Sequence, residues 1–251
     1  MQLLPKIREI HRQHRGRYGS PRIHLELVTQ GVPCGRKRVA RLMREHGIAA
    51  KQRRRFVRTT DSKHDFPVAP NLVQRQFEVA APNKVWVADI TYLWTAMGWL
   101  YLATVLDLFS RKIVGWAMNE QIDRFLACAA LRMAIMRRCP ARGLIHHSDR
   151  GVQYASGDYR QMLRDHGMEC SMSRKGDCWD NAVQESFYGR LKVELVHECD
   201  YRTHAEARSS VFGYIEAYYN TRRRHSSLGY LSPDEFERRY YAAMGANFVA
   251  S

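Results

Sequence analysis

Asp89 lies inside the apolar run Val85-Trp86-Val87-Ala88-Asp89-Ile90-Thr91-Tyr92, and Asp149 follows the run Gly143-Leu144-Ile145-His146-His147-Ser148. Glu185 sits on a helix-like stretch with thirty-five residues between it and Asp149. An acid inside a β-branched, aromatic strand pattern is costly unless it is ionised against a partner, and a metal ion is the partner that best offsets the cost. Two hard cations about 3.5–4 Å apart, bridged by carboxylates, activate an attacking oxygen and stabilise a leaving one in phosphodiester cleavage. Oxygen donors in an open site suit Mg2+ or Mn2+. The pattern points to a metal-dependent nucleic-acid enzyme with Asp89, Asp149 and Glu185 as catalytic metal ligands.

Other residues near these acids have competing roles. Asp107 also falls in a predicted strand, but it precedes Ser110-Arg111 and suits a turn. Asp180 is a natural N-cap for a helix beginning at Asn181. Along that helix Asn181, Glu185, Gly189 and Lys192 share one face, and Val183, Phe187, Leu191 and Leu195 form the apolar stripe opposite. Lys192 and Asn181 are therefore expected to contact DNA, with Gly189 leaving room for close approach. For His146 and His147 the expected part is at most support behind the ligands or contact with DNA. Neither Ser148 nor Ser186 has the G-x-S-x-G setting of a nucleophile.

The charge balance fits a polyanionic partner. Forty Lys and Arg stand against twenty-five Asp and Glu, a formal +15. The surplus is uneven: residues 1–80 hold eighteen basic and six acidic side chains, whereas residues 81–251 hold twenty-two and nineteen. No apolar run approaches the roughly 20 residues that span a bilayer, and Met1-Gln2-Leu3-Leu4-Pro5-Lys6 lacks the apolar core of a secretory signal, so a cytoplasmic protein with no membrane partner is expected. The six cysteines form no C-x-x-C pair, which argues against structural zinc, and a reducing setting argues against disulfides.

The positioning elements follow from periodicity. In residues 1–58, Ser20-Pro21 opens a helix with Ile23 and Leu27 inward and Gly31 as its stop. After Val32-Pro33-Cys34-Gly35 a second helix is predicted from about Arg36 to His46, with Val39, Leu42 and Met43 inward. This helix-turn-helix pattern carries Arg36, Lys37, Arg38, Arg41 and Arg44, and Arg53, Arg54 and Arg55 follow it; all eight are candidate DNA contacts. Residues 59–82, with Pro67, Pro70 and Pro82, read as a linker or extended strap. Residues 83–200 alternate strand and helix: strands at Val85–Leu93, Trp99–Leu108 and Lys112–Met118, a helix at Asp123–Arg138, a strand at Gly143–Ser148, a helix near Ser156–His166, a strand at Glu169–Ser173 and a helix from Asn181 to Val196. Three antiparallel strands followed by αβαβα give an α/β, ribonuclease-H-like sheet covered on both faces. Its first strand is central, with the fourth beside it, so Asp89 and Asp149 can meet. Residues 201–251 form a helical extension, with Val211, Phe212, Ile215 and Tyr219 inward along His204–Asn220 and a capping box from Ser232 to Glu235.

The segments Trp86–Tyr92, His146–Tyr154 and Asp180–Phe187 closely resemble the DDE core of OrfB-type transposases of bacterial insertion sequences, the IS-three family. Tyr218-Tyr219-Asn220 with Arg224–Tyr230 is similar to that family's carboxyl-terminal signature, and Tyr18–Ile23 to Arg41-Leu42-Met43 to its amino-terminal helix-turn-helix. The resemblance implies a retroviral-integrase-like recombinase in which Asp89, Asp149 and Glu185 hold two divalent cations and Lys192 is the basic residue following the glutamate. It also implies double-stranded DNA partners (element ends and target), a homo-oligomer on DNA, an upstream-frame OrfA-type partner or fusion, and a place at the bacterial nucleoid. A DNA-binding module with an inactive core and a structure-specific nuclease of the same fold are the alternatives.

Overall fold

The computed structural model describes residues 3–51, 69–74, 78–173 and 182–245. The chain divides into two compact units, residues 1–55 and 56–251.

The first unit contains α1 (Leu3–Gln13), α2 (Ser20–Thr29) and α3 (Arg36–Glu45). Ile7 and Ile10 of α1 are buried, as are Tyr18, Ile23, Leu27, Val39 and Met43. The helix α1 is an addition to the two helices expected from sequence. The cap of α2 also differs: Gly19 occupies the N-cap, Ser20 is already helical, and Pro21 lies in the first turn. Gly35 caps α3 with extended backbone and no side-chain bond. The turn is tied instead by the His24 ring, whose Nε2 lies 3.0 Å from the Cys34 carbonyl.

The second unit is built on a five-stranded sheet of order β3-β2-β1-β4-β5. Its strands are β1 (Val85–Thr95), β2 (Gly98–Asp107), β3 (Ile113–Asn119), β4 (Ile145–Ser148) and β5 (Glu169–Met172). The first three are antiparallel, while β1–β4 and β4–β5 are parallel. Helix α4 (Arg124–Arg138), the short α5 (Val152–Ala155) and α6 (Gly157–Asp165) cover one face, where Trp86, Ala88, Ala103 and Val105 pack. Helix α7 (Ala182–Glu194) and α8 (His204–Tyr214) cover the other, with Val87, Leu93, Leu100, Leu102 and Leu106. Residues 69–74 strap the β5 edge: Met172 N–H donates to the Pro70 carbonyl at 3.3 Å and Leu72 N–H to Ser171 Oγ at 2.9 Å. Pairing of this kind blunts an exposed edge.

The extension is part of the same core. Tyr201, Ala207, Val211, Tyr214, Ile215 and Tyr219 join the α7-side cluster. Past α8 the chain widens into a π-helical turn at Ile215–Tyr219. Phe212, expected inward, is 54% exposed and meets Trp116 edge-on at 6.1 Å. Val211, Tyr214 and Ile215 already fill the inward stripe. Asn220 then grips the start of β3, accepting from Ile113 N–H and donating to its carbonyl, each at 3.0 Å. Arg223 forms a buried ion pair with Glu194, the last residue of α7, with Nη2 to Oε1 at 2.6 Å. Tyr214 adds its hydroxyl to Glu194 Oε2 at 2.9 Å. In α9 (Pro233–Ala243) Ser232 caps Glu235 N–H at 3.3 Å, but the Glu235 carboxylate pairs with Arg238 and Arg239, so only half of the expected box forms. Buried Glu237 of α9 takes a two-pronged bond from Arg138 at 2.8 and 2.9 Å. Among the described residues no helix is long and apolar enough to cross a membrane.

Helix α4 approaches β3 backbone to backbone at Gly115, where an added Cβ would lie 2.3 Å from the Ala130 carbonyl oxygen and 2.6 Å from Ala134 N. Backbone cannot yield as a flexible side chain does. Gly115→Ala should therefore lower stability by about 1–3 kcal/mol, as other overpacked cores lose, read as a fall in the urea midpoint at unchanged slope.

Candidate active site

The parallel pair β1–β4 sets the first two acids. Val85 to Ala88 run beside Ile145 to Ser148, and the next residue on each strand is Asp89 and Asp149. Ligand sites in α/β sheets gather at such carboxyl ends. Alternation along β1 puts Asp89 with Val87 and Leu93, on the face that α7 covers. Asp149 is oriented locally: its Oδ1 accepts from Gly151 N–H at 2.9 Å, while Arg150 Nε donates to the Ser173 carbonyl at 2.7 Å and pins the loop to the end of β5.

Helix α7 is fixed to β1 by a chain of donors. Gln184 Nε2 donates to Thr104 Oγ1, the residue directly across the sheet from Asp89. The Thr104 hydroxyl lies 2.8 Å from the Tyr188 hydroxyl, which donates to the Asp89 carbonyl at 2.5 Å. All three side chains are buried, and burial raises the Tyr188 phenol well above its ordinary range, so it remains a neutral donor. Glu185 follows Gln184 and is exposed, away from buried Phe187 and Leu191. Sequence reasoning missed Gln184, Thr104 and Tyr188. Their only signal was polar chemistry on the inward faces of a helix and a strand.

The acids share an electric field. Burial, then the Asp149 charge, holds the Asp89 carboxyl well above the usual carboxylate range; the Ile90 N–H opposes this, Glu185 adds to it, and Lys192 opposes it. Among the described residues no group of three or more His, Cys, Asp or Glu side chains is gathered closely enough to hold a metal ion. The donor chemistry nonetheless fits a hard divalent cation: the mutual field of these oxygen-only groups disfavours their joint ionisation, and a cation reverses that sign.

Lys192 is not an open surface lysine. It is 8% exposed, with Nζ 4.4 Å from the centroid of Tyr92, and burial lowers its pKa while Asp89 raises it. Gly189 is buried too, so the Glu185–Gly189–Lys192 stripe is not a free DNA path. Asn181 lies outside the described residues, as do Asp177 and Asp180 and the basic Arg53, Arg54 and Arg55. On α3 of the first unit, Arg36, Lys37, Arg38, Arg41 and Arg44 are all exposed.

Both histidines before Asp149 are wholly buried, which overturns the expectation of DNA contact. His147 spans Ser171 Oγ at 2.8 Å and Ser173 Oγ at 3.1 Å. His146 Nε2 lies 3.0 Å from the Tyr159 hydroxyl, and burial pushes its pKa down to about 3. Asp107 is buried and serves the turn, accepting from Asn83 N–H at 2.7 Å and Phe109 N–H at 2.9 Å.

Residues 79–178 match the family described as integrase core domain, residues 166–233 match a second family of the same description, and residues 1–56 match an HTH-like domain. The fold is also that of a chain in the simian T-cell lymphotropic virus intasome solved with PP2A regulatory subunit B56 gamma. That likeness has a TM-score of 0.54 at 14% identity, over 91% of this chain and 73% of that one. Sheet order and family matches together define an integrase-core polynucleotidyl transferase with an HTH-like domain. The chain is 47% identical over 226 residues to the transposase InsF for insertion sequence IS3A of Escherichia coli (strain K12), covering 90% of this chain and 78% of that protein. It is also 47% identical over 236 residues to the insertion element IS600 uncharacterized 31 kDa protein of Shigella sonnei, covering 94% and 87%. The chain belongs to the IS3 family of insertion-sequence transposases.

The acid response of the fold should carry the mark of His146. Its folded pKa of about 3 lies below the unfolded 6.5, so the unfolded chain binds the extra proton and stability falls as pH drops from 6.5 towards 3. Within that window the slope from one such group reaches about 1.4 kcal/mol per pH unit. His146→Gln should lose that part of the slope, as measured by urea unfolding at pH 4, 5, 6 and 7.

Proposed function

We propose that this chain cuts DNA at the ends of an insertion sequence and joins the freed 3′-hydroxyl to target DNA by direct attack on a phosphodiester. Asp89, Asp149 and Glu185 act as the catalytic carboxylates. The observation that carries the reading is the parallel register that ends one residue before Asp89 and Asp149, with α7 and Glu185 tied to the same strand by Tyr188. The residues divide into a DNA-binding module (1–58), a linker (59–82), the catalytic core (83–200) and a helical extension (201–251). Double-stranded DNA is the substrate, bound by an oligomer of this chain, with an upstream-frame product as partner or fusion. The chain works at the nucleoid, in the cytoplasm.

The three carboxylates would hold Mg2+ or Mn2+, two per site, which when bound supply Lewis-acid activation of the attacking and leaving oxygens. The protein's own part is positional. Gly151 N–H orients the Asp149 carboxylate, the Tyr188 hydroxyl fixes the backbone at Asp89, and α7 presents Glu185. Lys192, buried beside Asp89, supplies a positive charge that opposes the mutual repulsion of the acids. No protein nucleophile takes part. The exposed cations of α3, with Arg53, Arg54 and Arg55, bind phosphates of the element end, and Asn181 adds a contact beside Glu185.

Asp89→Asn, Asp149→Asn and Glu185→Gln should each abolish cleavage and strand transfer with an unchanged fold, assayed with element ends and magnesium and with the upstream-frame product added. Full activity in any of the three removes that acid from the site. Cleavage without strand transfer by the natural protein would instead identify a nuclease.

Replacing Arg41 and Arg44 by Ala should weaken DNA binding and lower the slope of log K against log salt by about 0.9 per lost phosphate contact. An unchanged slope would move the phosphate contacts off α3.

A further inference from the structure

The first unit holds a cavity that its core does not use. It measures about 420 Å3, within the range of small-ligand sites, and is lined by Leu3 and Lys6 of α1, residues 30–33 of the turn after α2, and Arg38 of α3. Two cations face this space and no acid does. The side chains of Lys6, Gln30 and Arg38 make no hydrogen bond or ion pair among the described residues. Other cations on the same two helices are matched: Arg12 pairs with Glu9, and Arg41 lies 3.6 Å from Glu45. Like charges that share one cavity repel, and an anion placed between them turns the repulsion into attraction.

The lining also narrows the kind of anion. A guanidinium fork matches two phosphate oxygens, an ammonium adds a point charge, and the Gln30 amide adds a neutral donor. Leu3, Val32 and Pro33 offer carbon surface beside those donors, which suits a phosphate that carries a sugar. Arg38 ties the cavity to the surface already assigned to DNA. On a helix of 3.6 residues per turn it stands about 60° round from Arg41, and the exposed Arg36, Lys37 and Arg44 lie on the same helix. A duplex resting on α3 therefore brings its backbone to the mouth of the cavity. That continuity favours DNA over an acidic peptide as occupant.

We propose that Lys6 and Arg38 clamp a single phosphate of the element-end duplex between α1 and α3, with Leu3, Val32 and Pro33 against its deoxyribose. The clamp rests on the DNA binding proposed above for this unit. Contacts to phosphate carry no sequence information but fix the orientation of the element that reads bases. Arg38 lies in the first turn of α3, the end of a recognition helix that meets base edges, so the clamp sets how that end enters the groove. It also gives α1 a task beyond support of the other two helices.

The test uses the full chain and a duplex carrying the inverted repeat that flanks this gene, with a neutral methylphosphonate placed singly at each backbone position. The natural protein should lose affinity at several positions. Lys6→Ala and Arg38→Ala should each blunt the response at one and the same position, and the double variant should abolish it there alone. The double variant should also lower the slope of log K against log salt by about 0.9, the share of one phosphate. Lys6→Arg/Arg38→Lys, which keeps both charges, should keep both readouts, and so should Arg8→Ala, which removes an exposed cation of α1 outside the cavity. Two different blunted positions, or a slope change about twice as large, would put the cations on separate phosphates and overturn the clamp. An equal effect of Arg8→Ala overturns it too, since bulk charge on α1 would then suffice. Competition by inorganic phosphate that the double variant abolishes, with the methylphosphonate pattern unchanged, would make the cavity a free-anion site and not a DNA contact. An unchanged pattern in the double variant, with binding lost in Arg41→Ala/Arg44→Ala, sinks the clamp alone. Failure of the natural protein to bind the duplex sinks the DNA-binding role on which it rests.

Discussion

The carbonyl of Asp89 is held by a phenol. The path Gln184 to Thr104 to Tyr188 to Asp89 crosses from helix to sheet and back to the acid's own backbone, and each group in it is used as donor by the next. In a buried setting every broken bond leaves an unsatisfied polar group, at about 1–3 kcal/mol, so the chain of donors has one low-energy arrangement. Helix α7 can neither slide along β1 nor rotate without breaking it. The placement of Glu185, two residues of core packing behind it, and the burial of Lys192 follow from that single tether.

A second set of polar groups keeps β4 in register. The rings of His146 and His147 point to opposite faces, one to Tyr159 and the other to two serines of β5 and the residue after it. Burial keeps the His146 imidazole neutral, and His147 is equally enclosed. A slip of one residue between β1 and β4 would exchange these faces and separate the two aspartates. The histidines thus act on the acids through strand alignment, without touching them.

Much of this was legible from sequence because period-2 and period-3.6 patterns report faces directly. The five strands follow from such patterns, and their order around a central β1, with Asp89 and Asp149 adjacent, from the ribonuclease-H-like order of the elements. What escaped was governed by neighbours distant in sequence. Lys192 shares a helical face with Glu185, but a helical wheel does not register the Tyr92 ring lying under its ammonium. Tyr188 reads as one more core aromatic, and its hydroxyl gains meaning only across the sheet. Phe212 fits the apolar period, yet the stripe beside it was already full. The amphipathic α1, with Ile7 and Ile10 buried beneath a basic surface, was legible in principle and obscured by its charge.

The ion pair between Glu194 and Arg223 joins the end of the glutamate-bearing helix to a segment made later. Until Arg223 is in place, Glu194 is an acid lacking its counter-charge in what becomes a closed interior. Arg138, likewise, waits for Glu237. During synthesis the sheet and both aspartates emerge first, and the helix that carries the third acid is anchored only after a further twenty-nine residues. Order of translation thereby becomes order of assembly, and a growing chain holds an incomplete set of acids while it is still close to its own message and gene.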